Sequence, residues 1–221
     1  MKIIYSIVSF EIDKKLKFID ISKLRGNMIS KFNDNLEIHN HKKNGESIYN
    51  FPNIQYKLIN NKLTIMSFKQ DLNLLMSIRN NVNKLDFDGE IVEIKRKNIE
   101  IKEYDLKYLR NDFIEYTFLS TYLPFNQVNY EKYKNGLYSL EKAITNNLLE
   151  FLKGVKYFLE ENERIIVSDI NIKSEKVVKN KNIGFNGYKL SFKTNLDLPN
   201  YISLGKRKSI GYGVIKKVKS Q

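Results

Sequence analysis

The chain contains two histidines, and they stand two residues apart, as His39-Asn40-His41. In extended backbone the side chains of residues i and i+2 point to the same side, so two imidazoles can converge on one place. Imidazole changes charge near neutral pH, so one ring can take a proton while the other gives one. At an RNA phosphodiester such a pair would remove the proton of a 2′-hydroxyl and protonate the departing 5′-oxygen, which calls for no metal ion. The same tripeptide also fits a polar surface loop in which two histidines coincide. A metal site would need a third and usually a fourth ligand, whereas cysteine is absent and only Asp34 and Glu37 lie close in sequence. Lys31, Tyr49 and Lys57 flank the pair. A cation beside a pentacoordinate phosphorus stabilises the charge that develops on its oxygens. A tyrosine can hydrogen-bond to a base or stack on it.

A second feature lies near the C-terminus. Gly205, Gly211 and Gly213, three of the 10 glycines, fall within nine residues around Lys206-Arg207-Lys208. Glycine lets backbone N–H groups approach a phosphate closely, and neighbouring cations neutralise it. The spacing is not that of a Walker A loop. The other reading is a turn with a solvated basic tip, followed by a glycine-bulged last strand.

The whole chain agrees in charge: 38 Lys and Arg against 25 Asp and Glu leave +13 over 221 residues. A polyanion is the natural partner, because many phosphates can be neutralised with release of their counterions. Compositional drift in an Asn-, Lys- and Ile-rich proteome also raises charge. The absence of cysteine excludes disulfides, thiolate metal sites and a cysteine nucleophile. Hydrophobic residues at 42% suffice for a packed core. The apolar start Met1–Phe10 is short, meets charge at Glu11 and Asp13, and lacks a small-residue cleavage site, so no signal peptide is expected. No run approaches the ~20 apolar residues that cross a bilayer. The expectation is a soluble cytoplasmic protein with no membrane partner and no cofactor.

These features need elements to position them. Lys2–Ile12 reads as a strand. Ile21, Leu24, Met28 and Phe32 then recur at helical spacing behind Asp20, a candidate N-cap. Ile54–Ile59 and Lys62–Met66 form a hairpin around Asn60-Asn61. Leu72, Leu75, Met76, Ile78 and Val82 mark a second helix, and Glu90–Lys102 a strand. The order β-α-β-β-α-β is that of the ferredoxin-like unit. The pattern restarts with a strand at Phe113–Leu123 and a long helix carrying Leu137, Leu140, Ile144, Leu148, Phe151 and Val155. Four more strand candidates follow: Ile165–Ile172, Lys176–Lys179, Gly187–Lys193 and Ile210–Val218, with Lys173–Asn182 as a hairpin tip. We therefore expect an α+β protein of tandem ferredoxin-like (RRM-like) domains, residues 1–108 with the histidine loop and 109–221 with the glycine-rich loop. A strand-rich tail replaces the second helix of the second half.

Taken together, these residues resemble a known family. Lys23-Leu24-Arg25-Gly26, His39-Asn40-His41 and Tyr49-Asn50-Phe51-Pro52-Asn53-Ile54-Gln55-Tyr56-Lys57 are similar to the N-terminal domain of the CRISPR repeat-processing endoribonucleases, the Cas-six family, in their type I-B branch. Thr121–Asn126, Leu140-Glu141-Lys142, Asn146–Leu149, Lys153-Gly154-Val155 and the Leu204–Gly213 stretch resemble that branch's C-terminal domain and glycine-rich loop. That loop usually opens Gly-x-Gly; here Ser203 stands at the first glycine. The resemblance implies tandem ferredoxin-like domains and metal-independent cutting of precursor CRISPR RNA within each repeat. The adjacent 2′-hydroxyl attacks, leaving a 2′,3′-cyclic phosphate and a 5′-hydroxyl. It implies His39 and His41 as the catalytic pair; from their position beside the pair we expect Lys31 and Tyr49 to assist it. Gly205, Lys206, Arg207, Lys208, Gly211 and Gly213, with Arg25 and Lys57, would bind RNA. The implied partner is CRISPR repeat RNA, and beyond it other Cas proteins of an effector complex. A non-cleaving repeat-binding subunit of the same fold is the alternative.

Overall fold

The computed structural model describes residues 1–33, 38, 51–68, 72–180 and 183–218. They form two compact units. The N-terminal unit comprises Lys2–Tyr104 together with Ser209–Gly211; the C-terminal unit comprises Met1, Asp105–Lys208 and Tyr212–Gln221.

The N-terminal unit runs β1 (Lys2–Ile12), α1 (Asp20–Lys31), β2 (Ile54–Ile59), β3 (Lys62–Ser67), α2 (Leu72–Asn81), β4 (Lys84–Phe87) and β5 (Glu90–Asp105). The sheet order is β2-β3-β1-β5-β4. The first strand is thus central, between the third strand and the last, as the β-α-β-β-α-β order requires. The hairpin at Asn60-Asn61 has both residues left-handed, φ 49° and 57°. That is the type I′ geometry matching strand twist, and Asn tolerates it. Ile21, Leu24 and Met28 of α1 bury one stripe against Val8, Phe10, Tyr56 and Ile65 of the sheet. Asp20 is not the N-cap. The chain enters α1 through a tight turn in which Asp20 N–H donates to Lys17 O, and the Asp20 carboxylate reaches back to Lys17 N–H at 2.7 Å. That is the reach-back half of a capping box, three residues inside the entry turn. β4 adds a strand to the expected order: its four residues alternate polar and apolar but are too few to stand out behind the helix, and Asp88-Gly89, turning left-handed (φ 59° and 94°), fold it onto β5.

The C-terminal unit contains β6 (Lys107–Tyr108), β7 (Ile114–Phe118), α3 (Gln127–Lys134), α4 (Leu140–Gly154), β8 (Val167–Asn180), β9 (Ile183–Thr194), β10 (Leu196–Asp197) and β11 (Ile215–Lys217). Its main sheet is ordered β11-β7-β9-β8, the same ferredoxin-like pattern. α4 starts at Ser139, whose hydroxyl accepts the Lys142 N–H at 3.2 Å, and buries Leu140, Ala143, Ile144, Leu148, Phe151 and Leu152. Leu137 fits the helical spacing but lies before that cap and is 72% exposed. The separate strands expected at Ile165–Ile172 and Lys176–Lys179 are one strand, β8, paired along β9 with two register shifts. The strand expected over Ile210–Val218 shrinks to Ile215–Lys217, because Gly211 and Gly213 turn the backbone left-handed before it. α3 has no apolar stripe to betray it and is held at its start by Asn126, whose side chain accepts the Asn129 N–H at 2.8 Å. No described helix is long and apolar enough to cross a membrane.

Candidate nucleic-acid interface

The glycine-rich loop is held from beneath by the backbone of residues 121–123. Thr121 O accepts the N–H of Gly213, Leu123 O accepts that of Lys206, and Leu204 N–H donates to Gly213 O, all at 2.8–2.9 Å. These three amides are therefore engaged within the unit. At Gly213 (φ 65°) a Cβ would lie 1.9 Å from the Leu204 carbonyl oxygen, so only glycine lets the two sides of the loop close. The glycines thus serve close packing that projects the Lys206–Lys208 tip. Ser203 is buried, pairs with Val214 and has no positive φ, so the departure from Gly-x-Gly places no strain on the backbone.

The three consecutive cations have three different surroundings. Lys206 is exposed. Arg207, at φ 55°, lays its guanidinium 5.1 Å over the Phe185 ring of β9. Lys208 binds Glu150 of α4 at 2.6 Å with only 13% of its side chain exposed. Burial pulls its ammonium pKa down, and the Glu150 carboxylate opposes that pull. Lys206 is presented outward and Arg207 is half-buried against Phe185, whereas Lys208 ties the loop to α4. Lys189 of β9, which donates to Leu119 O, also has its pKa lowered, first by burial and then by repulsion from Lys176.

The next three residues, Ser209–Gly211, belong to the N-terminal unit. Ile210 bridges Tyr56 in parallel, and Tyr56 N–H donates to Ser209 O at 2.9 Å. β2, an edge strand, is thereby extended by chain some 150 residues further on. A Cβ at Gly211 (φ 85°) would come within 2.5 Å of Ile21 Cδ1. Arg25 sits half-buried on α1 and electrostatically opposes the burial-driven rise of the Tyr56 phenol pKa. Lys57 is wholly buried beside Gln55, to which it donates, and burial holds its pKa well below the ordinary lysine value. It is not a surface cation.

Lys31 ends α1 and is exposed. It belongs to a cationic cluster that sequence reasoning missed. Lys97 of β5 donates to Arg79 O and to Asn83 Oδ1, and its pKa is lowered by burial and by repulsion from Lys31 and Arg79. No local pattern could reveal it, since the three residues come from two helices and a strand. His39, His41 and Tyr49 lie outside the described residues. Ile38, the residue before His39, is buried in the core of the N-terminal unit. Among the described residues no three carboxylate or imidazole groups are placed to hold a metal.

Residues 1–105 match the family model of the Cas6b N-terminal domain, and residues 108–218 that of the Cas6b C-terminal domain. The chain belongs to the Cas6b family. It is similar to a crystal structure of Cas6b at 29% identity and TM-score 0.87, over 99% of this chain and 100% of that one. A crystal structure of a CRISPR RNA processing endoribonuclease Cas6b is 28% identical with TM-score 0.73, over the same shares. Csf5, a type IV Cas6 crRNA endonuclease, shares the fold, with TM-score 0.58 at 13% identity over 99% of this chain and 100% of that one. An uncharacterized protein of Methanocaldococcus jannaschii is 29% identical over 143 residues, 62% of this chain and 95% of its own length. The chain thus matches the Cas6b family across both ferredoxin-like units, and the tandem architecture agrees with those solved structures.

Proposed function

We propose that this Cas6b-family chain is an endoribonuclease that cuts precursor CRISPR RNA within its repeats. The observation that carries the reading is the match of both halves to Cas6b, including one solved relative described as a CRISPR RNA processing endoribonuclease. The exposed Lys206, the half-buried Arg207 beside it and the cationic cluster around Lys31 support a polyanionic substrate.

In the proposed reaction one histidine of the His39/His41 pair removes the proton of the 2′-hydroxyl next to the scissile phosphate. The 2′-oxygen bonds to phosphorus as the bond from phosphorus to the 5′-oxygen breaks. The other histidine protonates that leaving oxygen, and a 2′,3′-cyclic phosphate and a 5′-hydroxyl remain. Lys31 would offset charge on the phosphorane oxygens, and Tyr49 would hold or stack on a neighbouring base. The loop from Gly205 to Gly213 would bind the RNA backbone through Lys206 and Arg207, with Lys208 bracing it. Half-buried Arg25 would add charge at the surface of α1, whereas wholly buried Lys57 would act only from beneath. No metal ion has a part in these steps.

The test is incubation with the cognate repeat RNA in excess EDTA, beside a repeat carrying one 2′-deoxy substitution 5′ of the cut. Cleavage of the first, with intact but bound second RNA, is expected. A requirement for Mg²⁺, or cleavage of the deoxy repeat, would point to attack by metal-bound water instead. Binding without cleavage of the first would make the chain a repeat-binding subunit.

A further inference from the structure

α3 has no part in the core of its unit, since none of its residues is buried. What it carries is tyrosine. Phe125, just before it, is buried at the hub of an aromatic cluster. Tyr133 stacks on Phe125 with ring centroids 4.6 Å apart, Tyr130 lies tilted at 6.2 Å, and Tyr138 meets it edge-on at 6.0 Å. Tyr130, Tyr133 and Tyr138 are each half-exposed. An ammonium stands over two of these rings: Lys134 is 5.2 Å from the Tyr130 centroid and Lys142 is 5.7 Å from that of Tyr138. Lys132 is exposed on the same helix. Among the described residues no ion pair engages Lys132, Lys134 or Lys142, in contrast to Lys208 with Glu150.

Half-exposed aromatic rings beside lysines that, among the described residues, form no ion pair suit one ligand chemistry. Unpaired bases stack on the rings while lysines meet the phosphates. A duplex offers no free base face, and an apolar protein segment would bury the Lys134 and Lys142 ammoniums without a partner, whereas RNA phosphates can receive them as a base takes the ring. Position also fits. Leu123 O holds the Lys206 N–H, and Phe125 is two residues further, about 7 Å of extended chain. The tyrosine rings lie a further 4.6–6.2 Å beyond Phe125, so RNA leaving the basic loop would have them within reach of about two nucleotides.

We propose that Tyr130, Tyr133 and Tyr138, with Lys132, Lys134 and Lys142, form a stacking platform for unpaired nucleotides flanking the part of the repeat RNA held by the basic loop. The proposal rests on the repeat-RNA reading above. The test uses repeat RNAs with 2-aminopurine placed in turn at each unpaired position. The wild-type chain quenches the probe at two or three adjacent positions. Tyr130→Ala with Tyr138→Ala removes that quenching at the positions those two rings hold and weakens binding about 5- to 100-fold for each stack lost, whereas Tyr130→Phe retains both. Replacing the three lysines with Gln, all of them outside the core, lowers the slope of log affinity against log salt by about 2. This lysine variant decides the matter if the tyrosine pair does not fold. Unchanged quenching and affinity in the tyrosine pair, or an unchanged slope in the lysine variant, overturns the platform. Wild-type cleavage alongside such variants sinks the platform alone; a wild-type chain that fails to bind the repeat sinks the functional reading with it.

Discussion

The division of labour among Lys206, Arg207 and Lys208 yields opposite expectations for neighbouring residues. Lys206 is exposed and Arg207 rests on an aromatic face, so both charges are available to phosphate. Each phosphate contact on a single strand contributes about 0.7 to the slope of log affinity against log salt. Lys206→Ala with Arg207→Ala should therefore flatten the slope by about 1.4, so that raising salt fourfold costs the variant about sevenfold less affinity than it costs the wild type. Lys208 already has a carboxylate partner at 2.6 Å, with side-chain exposures of 13% and 37%. Lys208→Ala should leave the slope within about 0.3 of wild type. Its effect should fall on stability, because a charge-assisted, half-buried hydrogen bond is lost and the Glu150 carboxylate is left without that partner. Discounted for the exposure of Glu150, that loss is about 1–2 kcal/mol, or about 2–8 °C in melting temperature for a chain of this size. The assays are filter binding to the repeat RNA at several salt concentrations and melting followed by circular dichroism. If Lys208→Ala flattens the slope as much as Lys206→Ala and melts like the wild type, its pairing with Glu150 does not govern it and the reasoning fails.

Three other outcomes are expected. Single His39→Ala and His41→Ala variants should each slow repeat cleavage by ~10² to 10⁴ with affinity changed only a few-fold, and the double variant should lose little more than the worse single; wild-type cutting rates in both singles would refute the assignment. Gly213→Ala should incur about 1–3 kcal/mol of backbone strain before its contact with Leu204 O is counted, visible as a lower melting temperature, and wild-type melting would show that the loop does not depend on that close approach. The pH dependence at Lys57 has a definite sign. Its folded pKa lies well below the unfolded value of 10.5, so the unfolded chain holds more protons between the two. Wild-type stability should then climb relative to Lys57→Met as pH rises through that window toward 10.5 and level off beyond it; denaturant midpoints that run parallel for the two chains across it would show that the ammonium is not buried.

Where backbone geometry and local periodicity decide, the residues alone were informative. The Ile21-Leu24-Met28 stripe, the Asn60-Asn61 hairpin and the Leu140–Phe151 stripe of α4 each depend on neighbours within one or two turns, and their order is enough for two ferredoxin-like units. The chemical types were legible as well: a paired histidine motif, and cations among glycines in a chain of charge +13. Environment was not legible, because partners from remote chain decide it. Lys57 and Lys206 are the same residue type and both read as RNA-binding cations, yet β2 buries the first completely and the loop exposes the second. Lys208 faces Glu150, Arg207 faces Phe185, and Ser209–Gly211 extend β2, through contacts spanning 22 to about 150 residues. α3 left no trace because a helix that buries nothing needs no apolar period. The cluster of Lys31, Arg79 and Lys97 exists only once α1, α2 and β5 share one unit. Short-range order follows from the spacing of side chains along the backbone, whereas the charge state and exposure of each cation follow from what the fold packs against it.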